Sequence, residues 1–195
     1  DALALDADEI TEALSPIVKA IGLSEGMSVA DVGSGTGLFL NLLSEQVGSE
    51  GRVFAIDASP RLVRFLEERV VADELTNVDV VRNDDNSLAL VNKRVDRIFV
   101  CDAYRAFQNP SAMLFSIKKN LQADGELIVV ESVQSDDLVA ADDDGTDGQT
   151  SRESIQATIE AAGFEYVEEV TIPDLGSGFF LRFRTNTMPI TRSVI

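Results

Sequence analysis

Three glycines spaced two residues apart, and one carboxylate 20 residues further on, carry the clearest chemical signal in this 195-residue chain. Gly33, Gly35 and Gly37 follow the apolar stretch Val29–Val32, and Asp57 ends the next apolar stretch. Glycine at a strand-to-helix turn permits positive φ and leaves no Cβ between the backbone and a ligand. A carboxylate at the end of the next strand is well placed to bind a ribose diol. The pattern therefore predicts a nucleoside site.

The register of the glycines indicates which nucleoside. In a dinucleotide fingerprint the sixth position is glycine, whereas this chain has Leu38 there. Asp31 also places an acid at the start of the loop, where a pyrophosphate would bring further negative charge. Both observations favour a ligand with a cationic centre and no phosphate. A NAD-dependent reductase is the weaker interpretation, because neither Tyr104 nor Tyr166 is followed four residues later by lysine.

The segment Val29–Gly37 resembles the first motif of the class I S-adenosylmethionine (SAM) dependent methyltransferases, and Asp57 matches their ribose-binding acid. The resemblance extends from about Ser24 to Phe183. It implies SAM as the cofactor, S-adenosylhomocysteine as its product, and no metal. Asp84 and Asp85 follow the third strand, and Asp84 is the better match for the family's residue that binds the adenine amino group. The cofactor-binding residues that the resemblance implies are Asp31, Gly33, Ser34, Gly35, Gly37, Asp57, Ala58, Asp84, Asp85 and Asp102.

The stretch Cys101–Pro110 is similar to the D-x-Y-H-H-F-x-D-P segment of one subgroup of small-molecule methyltransferases. The positions that match are Asp102, Tyr104, Phe107 and Pro110. The two histidines of the subgroup are replaced by Arg105 and Ala106, and the whole chain contains no histidine. Any role that depends on those histidines is therefore not transferable to this chain.

Three residues are candidates for the catalytic side of the site: Asp102, Tyr104 and Glu131, which ends the fifth predicted strand, Glu126–Glu131. Each could assist deprotonation of a hydroxyl or amine acceptor. Tyr104 and Phe107 could wall an acceptor pocket or simply pack in the core. Arg105 could bind an acceptor carboxylate or form a surface ion pair, and Glu131 could equally be an exposed strand terminus.

The pattern of apolar residues predicts the elements that position these side chains. Helical spacing favours a helix over residues 7–21 and another over about Gly37–Val47. Strands alternating with helices are typical of a doubly wound α/β fold with a mostly parallel sheet. Two late alternating stretches, Glu165–Ile172 and Gly178–Arg184, complete a seven-stranded methyltransferase sheet whose last strand is antiparallel. We expect one domain over residues 1–195.

Composition narrows the classes of partner. The net charge of −18 disfavours nucleic acids and anionic membranes, because both are bound through Lys and Arg. With one cysteine and no histidine, an internal disulfide and a histidine base are excluded, and chemistry that needs several thiols, such as arsenic handling or a zinc cluster, is disfavoured. The acidic stretch at about 134–150 is interpreted as a solvated loop, since no register satisfies the EF-hand ligand pattern. A cytoplasmic location is expected, with a removed leader before Asp1 left open.

The resulting prediction is an acidic SAM-dependent methyltransferase that acts on a small-molecule acceptor. The alternative is a protein that binds SAM without transferase activity, as a sensor or an accessory subunit. The sequence leaves the acceptor atom and the oligomeric state open.

Overall fold

The computed structural model describes residues 7–132, 151–173 and 175–186. In this part of the chain, helices and strands alternate as predicted. In chain order the elements are α1 (Ala7–Ile21), β1 (Ser28–Val32), α2 (Leu40–Val47), β2 (Arg52–Asp57), α3 (Pro60–Ala72), β3 (Val78–Arg82), β4 (Val95–Cys101), a 3-10 turn (Tyr104–Ala106), α4 (Pro110–Asn120), β5 (Leu121–Glu131), α5 (Arg152–Ala161), β6 (Phe164–Glu169) and β7 (Phe179–Thr185). The acidic stretch predicted at 134–150 lies outside the described residues.

The strands form one seven-stranded sheet with the order β3-β2-β1-β4-β5-β7-β6. Strands β1 to β5 are parallel, whereas β7 pairs antiparallel with both β5 and β6. The predicted doubly wound, mostly parallel sheet with an antiparallel last strand is therefore confirmed. The strand order reverses between β1 and β4, so the loops after these strands diverge and open a crevice at the carboxyl edge of the sheet.

Apolar residues cover both faces of the sheet. Helices α1, α2 and α3 pack on one face around Val29 and Phe99, and α4 and α5 pack on the other around Ile98 and Leu127. Strands buried on both faces have nearly continuous apolar sequences, as in Leu127–Val130. The two packed layers hold the strand ends, and the loops that follow them, in fixed relative positions.

Two boundaries differ from the predictions. Helix α2 begins at Leu40 rather than at Gly37, because Gly37 has φ +79°, which the right-handed helix does not allow. Strand β5 begins at Leu121 rather than at Glu126, with a register shift opposite β4 between Val95 and Arg97. Neither difference changes where the parallel strands end, and the candidate site residues follow those ends.

Candidate cofactor and active site

The glycine loop lies directly against the segment that follows β4. A Cβ on Gly33 would lie 2.4 Å from the Cβ of Ala103, and Gly33 has φ +78°. Gly35 has φ +58°, and among the described residues beyond its chain neighbours the nearest heavy atom to a Cβ built there is the backbone oxygen of Gly33, at 3.9 Å. Glycine at the first position is therefore required by close packing, and at the second it leaves bare backbone facing open space.

The carboxylate of Asp57 connects the glycine loop to the start of α3. Its Oδ2 accepts a hydrogen bond from the backbone N–H of Gly35 (3.0 Å), and its Oδ1 accepts one from Ser59 (2.9 Å). The side chain is largely buried, at 8% exposure. A carboxylate has about four lone-pair sites, so two remain for the hydroxyls of a ribose. Asp57 is thus suited to bind the ligand and also to stabilise the loop that binds it.

A cavity of about 160 Å³ opens at the carboxyl edge, between the ends of β1, β2 and β3 and the segment after β4. Five of the predicted cofactor residues line it together: Gly33, Asp57, Ala58, Asp84 and Asp85. The cavity is also lined by residues that were not predicted as site residues: Val32, Asn83, Ala103, Ala106, Gln108 and Met113. No sequence signal marks Met113, because a methionine in the apolar pattern of a helix is typical of core packing.

Ser34 and Gly37 were predicted to bind the cofactor, and their contacts in the structure are with the protein. The Ser34 hydroxyl donates to the backbone oxygen of Asp31 (2.8 Å) and accepts from the backbone N–H of Ile56 (3.1 Å). A Cβ on Gly37 would lie 2.8 Å from Leu40 Cδ1, so this glycine packs against α2. Both residues shape the loop from inside, and a direct contact with the cofactor stays a prediction.

Asp31 is a buried carboxylate beside this loop. It is 3% exposed, and its Oδ2 has no hydrogen-bond partner within the described residues. Burial raises the pKa of Asp31 to about 7, a hydrogen bond with Ser34 opposes the rise, and the charge of Asp57 adds to it. Because an ionised Asp31 has no ion-pair partner among the described residues, the site fits a ligand with a positive centre.

The three catalytic candidates meet where the segments after β4 and β5 run side by side. Asp102, an exposed residue with φ +48°, accepts hydrogen bonds at Oδ1 from the N–H (2.6 Å) and the hydroxyl (2.8 Å) of Ser132. In the opposite direction, Oε1 of Glu131 accepts from the backbone N–H of Tyr104 (2.9 Å). The two acids therefore cross-link the two segments, an arrangement that the sequence did not reveal.

Glu131 is almost fully buried and also pairs with Arg105. Its Oε2 lies 3.3 Å from Arg105 Nε, and the Glu131 side chain is 3% exposed. Burial raises the pKa of Glu131, against the opposing effects of the Tyr104 N–H and the Arg105 charge. The structure thus places Arg105 in an ion pair within the protein. Binding of an acceptor carboxylate by Arg105 stays a prediction.

Tyr104 belongs to the hydrophobic core rather than to an open pocket wall. Its ring is 5% exposed and lies 5.4 Å from the ring of Phe107, which does line the cavity. Burial, together with the Glu131 charge, raises the pKa of Tyr104 to about 12. A phenol with this pKa stays protonated at neutral pH, so the geometry favours packing over a role as a base.

A family model described as a methyltransferase domain matches residues 23–170. The chain belongs to this methyltransferase family. A SAM-dependent methyltransferase from Aquifex aeolicus is similar in structure, with a TM-score of 0.72 and 26% identity over 92% of this chain and 99% of that one. The class I SAM-dependent fold predicted from the glycine loop is therefore confirmed, and SAM is the cofactor of the family.

Two curated relatives differ in the acceptor that they are named for. An arsenite methyltransferase from Halobacterium salinarum is 22% identical over 182 residues, which are 85% of this chain and 46% of the relative. A protein-L-isoaspartate O-methyltransferase from Ignicoccus hospitalis is 33% identical over 102 residues, 52% of this chain and 47% of the relative. The chain thus spans about half the length of these curated relatives.

The residues at this edge fit SAM by their chemistry. The orphaned oxygen of Asp31 suits a cation, Asp57 keeps acceptor sites for a ribose, and the glycine loop offers exposed backbone.

Within residues 7–132, 151–173 and 175–186, no three Cys, Asp or Glu side chains are grouped to hold a metal ion. In the same ranges, no helix is long and apolar enough to cross a membrane.

Proposed function

We propose that this chain catalyses methyl transfer from SAM to a small-molecule acceptor. The observation that carries the proposal is the cavity in which Gly33, Asp57 and Asp84 meet from the ends of three strands. The high negative charge supports the exclusion of nucleic acids as acceptors. A cytoplasmic location and the absence of a nucleic-acid or membrane partner stay predictions.

Each part of the site has a specific task in this proposal. SAM supplies a methyl group that its sulfonium already activates for in-line displacement. Asp57 would hold the ribose, Asp84 or Asp85 the adenine amino group, and the glycine-loop backbone the remainder of the cofactor. Asp31 would compensate the positive charge, and Asp102 would border the methionine half. Positioning and exclusion of water then account for most of the rate enhancement.

The state of the acids at the sheet edge indicates what kind of acceptor is suitable. Asp102 and Glu131 accept hydrogen bonds from protein groups, and Tyr104 is protonated at neutral pH because of its raised pKa. A neutral hydroxyl would need one of them as a base, whereas a thiolate or an inorganic oxyanion would not. We therefore infer an acceptor whose reacting atom is already strongly nucleophilic.

The same observation favours one alternative, a SAM-binding protein without transferase activity. If Asp102 and Glu131 serve only to brace the two segments, the site holds the cofactor and lacks a group that assists an acceptor. A sensor or an accessory subunit would then be the function. The two functions differ in turnover and agree in cofactor binding, so one experiment separates them.

The test combines calorimetry with a labelled methyl transfer assay. The expected result is binding of SAM and S-adenosylhomocysteine, no binding of NAD, and transfer to a small thiol. The panel also contains arsenite, a hydroxyl and an amine acceptor, and an isoaspartyl peptide. Cofactor binding with no transfer to any acceptor would establish the alternative. Transfer to the isoaspartyl peptide alone would overturn the small-molecule part of the proposal. The variant Asp57→Ala is the control, because weaker cofactor binding must reduce any true turnover.

A further inference from the structure

A second cavity, of about 650 Å³, lies at the amino edge of the sheet, where β4 and β5 begin. It is lined by the loop between β3 and β4 and by the end of α4. It shares no lining residue with the cofactor cavity. Its volume falls in the range of small-molecule sites. This cavity is therefore separate from the candidate active site, and its role does not depend on the proposed function.

The charge of the lining departs strongly from the composition of the chain. The cavity is lined by Lys93, Arg94 and Lys119, and no Asp or Glu of the described residues lines it. The whole chain has 34 acidic residues against 16 Lys and Arg, so a random lining would contain about two acidic residues for each basic one. Lysine in the last turn of α4 offsets the negative end of that helix, but Lys93 and Arg94 lie in the loop and have no such role.

Two of these cations are available to a ligand. Arg94 and Lys119 are exposed and make no ion pair among the residues that the structure describes. Lys93 is partly engaged, since its Nζ lies 3.7 Å from Asp79 and 4.4 Å from the centre of the Phe54 ring. Lys118, by contrast, points to another part of the molecule and donates to the backbone oxygen of Gly163.

Buried polar side chains of α4 hold the cationic loop in place. Asn120, 6% exposed, donates to the backbone oxygens of Leu90 (2.6 Å) and Lys93 (2.8 Å). The Ser116 hydroxyl accepts from the backbone N–H of Leu88 (3.0 Å). Within this loop Ala89 has φ +57°, a strained conformation for a residue with a Cβ. The loop is thus preorganised in a conformation that its own sequence does not favour.

We propose that this cavity binds a compact polyanion such as an oligophosphate group. Arginine presents a fork of N–H donors that matches phosphate oxygens, and the two lysines add mobile ammonium groups. Neutral donors from Asn92 and Gln122 complete the lining. A compact anion is affected mainly by charges within about 10 Å, whereas a nucleic acid would also be repelled by the remaining acidic surface.

The test is calorimetry with sodium tripolyphosphate at constant ionic strength. We expect binding with a Kd below about 1 mM, and a loss of at least about tenfold in affinity for the double variant Arg94→Gln/Lys119→Gln. The matched control is Lys19→Gln/Arg64→Gln, which removes one exposed lysine and one exposed arginine elsewhere. Its affinity should stay within twofold of the unmodified protein. Thermal melting of all three proteins checks that the substitutions preserve the fold.

Three results would overturn the proposal. They are the absence of tripolyphosphate binding to the unmodified protein, equal weakening in both double variants, and tighter binding of a single-stranded RNA than of tripolyphosphate. Equal weakening in both double variants would mean that binding depends only on the net charge of the protein. Tighter binding of the RNA would assign the surface to a macromolecule.

Discussion

Replacement of Asp57 should affect the stability of the protein and cofactor binding together. The carboxylate accepts two backbone hydrogen bonds, from Gly35 at 3.0 Å and from Ser59 at 2.9 Å. A hydrogen bond to a charged group contributes about 1.5–3 kcal/mol. Because water that enters the space left by the carboxylate can bond partly to the two backbone N–H groups, we expect Asp57→Ala to lower the free energy of unfolding by about 3 kcal/mol, the lower end of the sum for two bonds. For a chain of this length that corresponds to a fall in Tm of about 6–12 °C.

Cofactor affinity supplies an independent measurement for the same variant. Loss of the ribose acceptor should weaken S-adenosylhomocysteine binding about tenfold or more, measured by calorimetry at a temperature where the variant is folded. Asp57→Asn keeps one oxygen acceptor, so its loss of stability should be about half as large while the affinity still falls.

The control is Asp73→Ala, which removes an exposed ion pair with Arg69 and should cost less than about 1 kcal/mol. Chemical denaturation without ligand gives the stability of each variant. If Asp57→Ala and Asp73→Ala are equally stable, the inferred connecting role of Asp57 is wrong. If the affinity for S-adenosylhomocysteine is unchanged, the assignment of Asp57 to the cofactor is refuted.

Three further predictions concern residues around the glycine loop. The folded-state pKa of Asp31 is raised to about 7, so its stabilising contribution is present below pH 4 and is lost as the pH rises to about 7. Asp31→Asn should therefore flatten the pH dependence of unfolding between pH 4 and 7, and an unchanged slope would contradict the burial argument. Gly33→Ala should cost about 2–4 kcal/mol in urea denaturation, since its Cβ would lie 2.4 Å from that of Ala103 and φ is +78°. Tyr104→Phe removes a hydroxyl with no hydrogen-bond partner among the described residues, so stability and turnover should both stay near their original values. A drop in turnover with intact cofactor binding would instead assign the hydroxyl a catalytic role.

The sequence alone determined the parts of this protein that depend on local chain geometry. The glycine spacing requires positive φ, and each glycine of the loop adopts it. Ser59 and Asn109 each precede a proline, a pattern typical of a helix start. Their side chains accept backbone hydrogen bonds at the starts of α3 and α4. Alternation of apolar strands and helices was sufficient to predict the doubly wound sheet, because the connections between parallel strands have few alternatives.

Only the tertiary structure decided what each polar group at the sheet edge does. Asp102 and Glu131 were predicted as catalytic candidates from their positions at strand ends. Packing places the carboxylate of each against a backbone N–H donor of the neighbouring segment. The basic cavity likewise joins the loop at residues 87–94 to the end of α4 at 116–122, which no local pattern connects. The direction and burial of a side chain depend on contacts between distant segments, so these properties arise only when the sheet and its helices are assembled.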